Sequence, residues 1–386
     1  MQREPLTRLP ADADLIATAE RFAREVVLPH VPEWEAAMGI PRSLYAQAGE
    51  LGLLAMGYEE RVGGIPTSWV DRLAVMQVLQ RVTGAGGVMA SLYSHNIALP
   101  LVQKLASDEV AQEIIPPVLR GERIAALAIT EPSGGSDVAR LRTTAQRDGG
   151  DYLIHGEKVF ITSGVRADWY TVAVRTGETG ARGISLISVP GDAPGLTRTP
   201  LQKMGWHASD TAQVRFDGVR VPARYLLGQE NQGFREIMGN FNGERLTLVA
   251  GCLGASQCAL DEALDWAQQR QTFGSTLVNH QVVRHKLVDM QMQIRATEHW
   301  LAALATALDA TGEESPDWVA QVCLLKNQAT MTMAFCADAA VQTLGGMGFM
   351  NGTKSERIYR EVKVNAIGGG TEEIMKELAA KQMAWL

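Results

Sequence analysis

From Ile16 to about residue 124, apolar positions return every three or four residues: Ile16, Phe22, Val26 and Val27, then Leu44, Leu51, Leu53 and Leu54, then Leu73, Met76, Leu79 and Val82. That period puts each set on one face of a helix, with Pro41, Gly63, Gly64 and Pro66 as punctuation. At about Ile124 the period shortens. Runs rich in β-branched and aromatic residues at 152–154, 158–162, 169–174, 183–189, 196–201 and 212–221 are separated by turn residues, with His155-Gly156-Glu157 read as a hairpin turn. Short strands at this spacing predict a small barrel or sandwich.

The helical period resumes at Gly233. Leu246, Val249, Leu253, Leu260 and Leu264 form one stripe, with Gly251, Gly254 and Ala255 permitting close approach of another helix. Val283, Leu287, Met290, Ile294, Leu301, Leu304 and Leu308 form a second stripe that Gly312 ends. Ser315-Pro316 caps and opens a third helix through Val322, Leu325, Ala329 and Met333. Gly368, Gly369 and Gly370 lead to Thr371, the cap of a final helix with Glu372 and Glu373 in its first turn. Long helices with short links make a four-helix bundle. The expectation is an α+β chain in three domains: α-helical at 1–124, β at 125–232, and a helical bundle at 233–386.

Composition narrows the function classes. The 386 residues are 46 % hydrophobic and 20 % charged, typical of a water-soluble globular chain. A net charge of −7 argues against nucleic acid or an anionic membrane as the main partner, and no apolar run spans a bilayer. With no export signal read at the start, the expected location is the cytoplasm. Cys252, Cys258, Cys323 and Cys336 lack ligand spacing and read as reduced core residues. The seven histidines form no metal-ligating pattern, so no metal site is expected. Asn351-Gly352-Thr353 reads as an accidental sequon. Gly346-Met347-Gly348 is no dinucleotide fingerprint, because it follows a helix and Asn351 stands at the third glycine position.

The most informative stretch is residues 127–137, an apolar run stopped by Pro132 and followed by Ser133, Gly134, Gly135 and Ser136. Alone it is a turn; its composition also lets backbone amides approach a ligand. Its company decides. Ala128-Ile129-Thr130-Glu131-Pro132 with Gly135-Ser136-Asp137, Gly156-Glu157-Lys158 leading to Phe160-Ile161-Thr162, Lys203-Met204-Gly205-Trp206, Arg270-Gln271-Thr272-Phe273-Gly274, His280-Gln281, Gln342-Thr343-Leu344-Gly345-Gly346 and Gly369-Gly370-Thr371 follow one another in this order. Together they resemble the acyl-CoA dehydrogenase family of flavoproteins, from about Asp14 to Leu378.

The resemblance implies FAD as cofactor. Leu127, Ala128, Ile129 and Thr130 would lie along the flavin ring, with Gly135 and Ser136 near cofactor phosphate or the CoA portion of the substrate. Phe160, Ile161 and Thr162 would cover the other side; relatives often carry Trp where this chain has Phe160. Arg270 would pair with the FAD pyrophosphate from a neighbouring subunit, a bidentate task suited to guanidinium, joined by Phe273, Gln342, Gly345 and Gly346. His280, Gln281, Thr371 and Glu373 complete the implied cofactor set. Oligomerisation, expected as a homotetramer, would thus be part of cofactor binding. Read without the family, Arg270 only faces a helix end, Thr371 only caps and Glu373 is only a first-turn acid.

Dehydrogenation of an acyl-CoA to a trans-2-enoyl-CoA needs a carboxylate to take the α-proton while hydride leaves Cβ for flavin N5. Many relatives carry this Glu where the present chain has Gly369. A second pattern, similar to isovaleryl- and long-chain-acyl-CoA dehydrogenases, supplies it from a Glu-Arg-Leu sequence, here Glu244-Arg245-Leu246. Glu244 is therefore the expected base, against a plain reading as a solvated helix residue. The Gly369 N–H would support the thioester carbonyl as an oxyanion hole does. Asn242, where some relatives have Asp, and Arg245 and Gly370 are the implied substrate contacts. An electron-transfer flavoprotein would take the electrons. An oxygen-using flavoenzyme (acyl-CoA oxidase or monooxygenase) and a nucleic-acid-binding relative are the competing functions. The packing of Ser91, Asn96, Ala98, Leu99 and the start of the Gly233 to Leu246 segment is expected to set the depth of the acyl pocket.

Overall fold

The computed structural model describes residues 5–385. Its first part is helical, with α1 (Ala13–Arg21), α2 (Val31–Ala37), α3 (Arg42–Glu50), α4 (Trp69–Thr83), α5 (Gly86–Leu92), α6 (His95–Leu105) and α7 (Asp108–Leu119). Local chemistry sets their ends. The side chains of Asp12, Ser68 and Ser107 accept from the first-turn amides of α1, α4 and α7, and Gly84 closes α4 in a left-handed conformation.

The middle part holds β1 (Ala125–Ala128), β2 (Thr144–Asp148), β3 (Asp151–Thr162), β4 (Trp169–Arg175), β5 (Ile184–Pro190), β6 (Leu196–Pro200), β7 (Thr211–Pro222) and β8 (Leu226–Leu227). They form one eight-stranded sheet in the order β6-β7-β3-β2-β4-β5-β8, with β1 parallel to β4. The hairpin expected at His155-Gly156-Glu157 is absent: these residues lie inside β3, opposite β7, at a register shift between Ile154 and His155. Gly156 (φ 141°) takes the kink there, since a Cβ would meet Thr143 Oγ1 at 2.6 Å. The true turn is Gly149-Gly150, between paired Asp148 and Asp151.

The C-terminal part contains α8 (Gly233–Gln269), the short pair β9 (Gln271–Thr272) and β10 (Ser275–Thr276), α9 (Gln281–Thr311), α10 (Pro316–Leu344), α11 (Gly346–Phe349), α12 (Lys354–Ile367) and α13 (Glu372–Gln382). Helix α10 is the hub, packing on α8, α9, α12 and α13, while α8 also packs on α4 and so joins this bundle to the first part. Ser315 and Thr371 cap α10 and α13 as expected. Thr353 caps α12, which gives the sequon residue a structural reason. All four cysteines are free and buried in α8 and α10.

A buried ion pair locks the 130–137 loop to the sheet. Lys158 Nζ lies 2.8 Å from Glu131 Oε1 and also donates to Ile129 O. The Glu131 carboxylate accepts further from the N–H groups of Arg142 (2.6 Å) and Thr143 (2.8 Å). Both side chains are almost fully removed from water, so each charge depends on the other. Glu131→Gln, which strands the ammonium, is expected to lower the unfolding free energy in urea by about 3–5 kcal/mol. Adding Lys158→Met should restore part of that stability; a single variant as stable as wild type would show that the pair does not hold the loop.

Candidate active site

Between α12 and α13 the chain reverses through Gly368, Gly369 (φ 66°) and Gly370 (φ 104°). The left-handed backbone at 369 favours glycine, and the space around it is closed. A Cβ there would stand 2.8 Å from Leu248 Cδ1 and 3.9 Å from Glu244 Oε1. Glu244, from α8, thus brings its carboxylate beside the position from which a side chain at 369 would project.

Three side chains hold this turn. Arg245 Nε donates to Gly369 O (3.1 Å), Lys326 Nζ to Gly370 O (2.7 Å), and Asn327 Nδ2 to Glu372 O (2.9 Å). Arg245 in turn donates to Asn242 Oδ1 (2.8 Å), and Asn242 to Glu314 Oε2 (2.6 Å). Asn242 and Arg245 are therefore buried and already engaged within the chain. Among the described residues, no acceptor meets the N–H of Gly369 or Gly370.

Glu244 borders a cavity of about 140 Å³ together with Met76, Met89, Tyr93, Asn96, Thr162, Trp206, Leu248, Gly251, Met333 and Asn365. The residue as a whole is half-buried because one side faces this cavity. Its Oε2 is closed off from solvent and has no hydrogen-bond partner. Burial pushes its carboxyl up to about 7, although the charges of Arg245 and Lys326 oppose the rise. A solvated helix acid would show none of this.

Thr162 is the link to the sheet. It ends β3 and lines the cavity, and β1 leads to Thr130, whose carbonyl accepts from Val159 N at 2.9 Å. Leu127, Ala128, Ile129 and Ile161 are buried or half-buried beside it, while Gly135 and Ser136 are exposed. Phe160 is 69 % exposed and sits at φ 61°, a conformation unfavourable for an aromatic residue unless something holds it there. Arg270, Phe273, Gln281, Gln342, Gly345, Gly346 and Glu373 are exposed, His280 and Thr371 are half-buried, and none lines the Glu244 cavity. Phe273 is 99 % exposed. Glu373 is a solvated first-turn acid whose carboxyl is held low by its own backbone N–H and the Thr371 hydroxyl. Of the expected depth-setting residues only Asn96 faces the cavity; Ser91, Ala98 and Leu99 are fully buried elsewhere, and nothing from 233–243 lines it.

Sequence reasoning missed Lys326, Trp206 and Met333. Lys326 had a signal: a lone cation four residues after Val322, inside the apolar face of α10. Trp206 stood in a quoted motif but received no role.

The family models Acyl-CoA dehydrogenase N-terminal domain, middle domain and C-terminal domain match residues 10–122, 126–219 and 231–384. The long-chain specific acyl-CoA dehydrogenase, mitochondrial, of Sus scrofa is 36 % identical over 372 residues, covering 95 % of this chain and 85 % of that protein. The crystal structure of acyl-CoA dehydrogenase from Geobacillus kaustophilus superposes with a TM-score of 0.92 at 32 % identity, covering 98 % of this chain and 99 % of the other. A glutaryl-CoA dehydrogenase from Mycobacterium smegmatis in complex with FADH2 gives 0.90 at 27 % identity, covering 97 % and 94 %.

The geometry at Gly369 makes a stability prediction. Gly369→Ala should cost about 1–2 kcal/mol for the left-handed backbone alone, with more from the displaced Leu248. Gly239→Ala, on an exposed stretch of α8 with nothing within 4 Å of its Cβ, should instead gain about 0.5–1 kcal/mol. Urea midpoints of the two variants read the contrast directly.

Proposed function

The chain belongs to the acyl-CoA dehydrogenase family of FAD-dependent oxidoreductases, and we propose that it dehydrogenates a saturated acyl-CoA at Cα and Cβ with Glu244 as the base. The observation that carries this is the Glu244 carboxylate in the cavity, with Oε2 unpartnered, Oε1 next to position 369 and its affinity for protons raised. Proton transfer at neutral pH is served best by a group titrating near 7.

Bound FAD supplies the acceptor for the hydride that leaves Cβ. The residues present fit such a group. Phe160 offers an exposed, flat apolar face beside Thr162, and the Thr130 end of β1 brings a hydroxyl and amides to the same edge. Leu127 to Ile129 would back the ring, with Gly135 and Ser136 outside it. A Cβ at Gly345 or Gly346 would meet nothing within 4 Å, so no packing within the protomer excludes a larger residue from these exposed positions. With Arg270, Phe273 and Gln342, which are also exposed, they would reach the FAD of a neighbouring subunit in a homotetramer. His280, Gln281 and Thr371 would support that contact.

The chain's own groups then divide the work on the substrate. Arg245 and Lys326 hold the carbonyls of Gly369 and Gly370, and the Gly369 N–H, which has no acceptor among the described residues, is available to donate to the thioester oxygen. Arg245 and Lys326, bound to the carbonyls of the next two peptide groups of the turn, put positive charge near the oxygen on which negative charge grows as the α-proton departs. Met76, Met89, Leu248 and Met333 keep water from the carboxylate. Electrons would pass on to an electron-transfer flavoprotein.

Glu244→Gln should keep FAD and acyl-CoA binding but slow anaerobic flavin bleaching by about 10²–10⁴-fold or more. In the wild type, bleaching should rise with pH through about 7 and level off above it, because the base acts only when ionised. A variant that bleaches at the wild-type rate would move the role to another residue.

A further inference from the structure

A second cavity, of about 20 Å³, adjoins the first and shares Met76, Tyr93, Asn96 and Thr247 with it; Met56, Arg72 and Val75 complete its wall. Of its polar groups, Thr247 already donates to Gly243 O (3.1 Å), while Arg72 and Tyr93 have donors without acceptors among the described residues. Arg72, on α4, stands with its Cζ 4.0 Å from the centre of the Trp69 ring and against the Gly57 backbone, where a Cβ would come within 2.5 Å of that carbon. Among the described residues it has no hydrogen-bond acceptor and no carboxylate in ion-pair contact for its side chain. The nearest acid it senses, Asp309, spends its two oxygens on Trp69 N (2.7 Å) and Val70 N (3.0 Å). Tyr93, 7 % exposed, has a buried hydroxyl without a partner. Asn96 uses Oδ1 to accept from Tyr58 (3.1 Å), which turns its amide N–H groups to other use.

Stacking on Trp69 supports this half-buried cation, but it leaves the N–H donors of the guanidinium without an acceptor. A stem such as Met would fill the same space. The arrangement suits an acceptor-only, negatively charged group brought by a ligand, and a planar carboxylate matches guanidinium best. The small cavity has room for about one water-sized group, so a terminal carboxylate would place one oxygen in it and the rest in the adjoining larger cavity. Thr247 lies three residues beyond Glu244 on α8, so the two cavities open along one face of that helix within about a turn of each other.

Resting on Glu244 as the base, we propose that the preferred substrate is the mono-CoA thioester of a dicarboxylic acid, its free carboxylate received by Arg72 with Tyr93 and Asn96. Arg72 is then the residue that sets specificity at the end of the acyl group away from the thioester.

The test uses the full-length, FAD-loaded protein and acyl-CoAs matched in length, one series ending in methyl and one in carboxylate. Anaerobic flavin bleaching reports turnover. Calorimetric titration with the corresponding CoA thioethers, which lack the acidifying carbonyl, reports binding without reaction. The carboxylate-ended thioether of fitting length should bind about tenfold to a hundredfold more tightly than its methyl partner. Arg72→Met should abolish that preference and leave the methyl series at least as good. Tyr93→Phe should lose part of the preference with the fold intact. Equal binding of both series by the wild type, or an unchanged preference in Arg72→Met, would overturn the proposal. If the thioethers show the preference while no acyl-CoA bleaches the flavin, the dehydrogenation reading fails and the carboxylate site stands.

Discussion

The hydrogen bond from Arg245 to Gly369 O is the point on which the site turns. It ties the start of α8 to the turn between α12 and α13, two segments more than a hundred residues apart in sequence. With the carbonyls of Gly369 and Gly370 taken, the free face of the turn is its N–H side. The lack of a side chain at 369 then becomes a requirement, since the volume in front of that carbon belongs to Leu248 and Glu244. A carboxylate at 244 and a side chain at 369 compete for one space, and this chain has resolved the competition in favour of 244.

The rest of the fold brings that corner to the sheet. Helix α8 is long enough to touch α4 and α6 on one side and α9, α10 and α12 on the other. It therefore fixes Glu244 relative to both the first helical part and the bundle. The sheet contributes through Thr162 and the loop beyond β1, and that loop is held by the Lys158 to Glu131 pair rather than by apolar packing. Pro132 to Asp137 is exposed throughout. Without a buried charge pair at its root, such a loop would have little to define its shape.

Much of this was legible in the sequence, and the parts that were not have physical reasons. The switch from helical to strand spacing near Ile124 and back at Gly233 gave the order of elements, because burial of one face imposes the period directly. His155-Gly156-Glu157 misled for a definite reason: a glycine between polar residues signals a turn, yet here it absorbs a bulge in a long strand. Glu244 could be picked out from its place beside Arg245 and the empty position at 369. Arg72 and Tyr93 could not, because their importance lies in what they lack across the fold. A missing counter-ion leaves no trace in local spacing.

Burial alone does not mark a working group, as Glu361 shows. Its carboxyl is also pushed up to about 7 by burial, with the charge of Arg357 opposing the rise. Yet Glu361 accepts from the amides of Gly86 (2.9 Å) and Gly87 (3.2 Å) at the N-terminus of α5. Its oxygens are engaged, its neighbours are structural, and it does not border the cavity. Glu244 differs in geometry, with one oxygen unpartnered and a cavity in front of it. A related contrast separates Arg72 from Arg245: Arg245 is buried and has two acceptors, whereas Arg72 is half-buried and has none among the described residues. Glu244 and Arg72 each border one of the two adjoining cavities with hydrogen-bonding capacity that no described residue uses, and that is where a ligand can meet them.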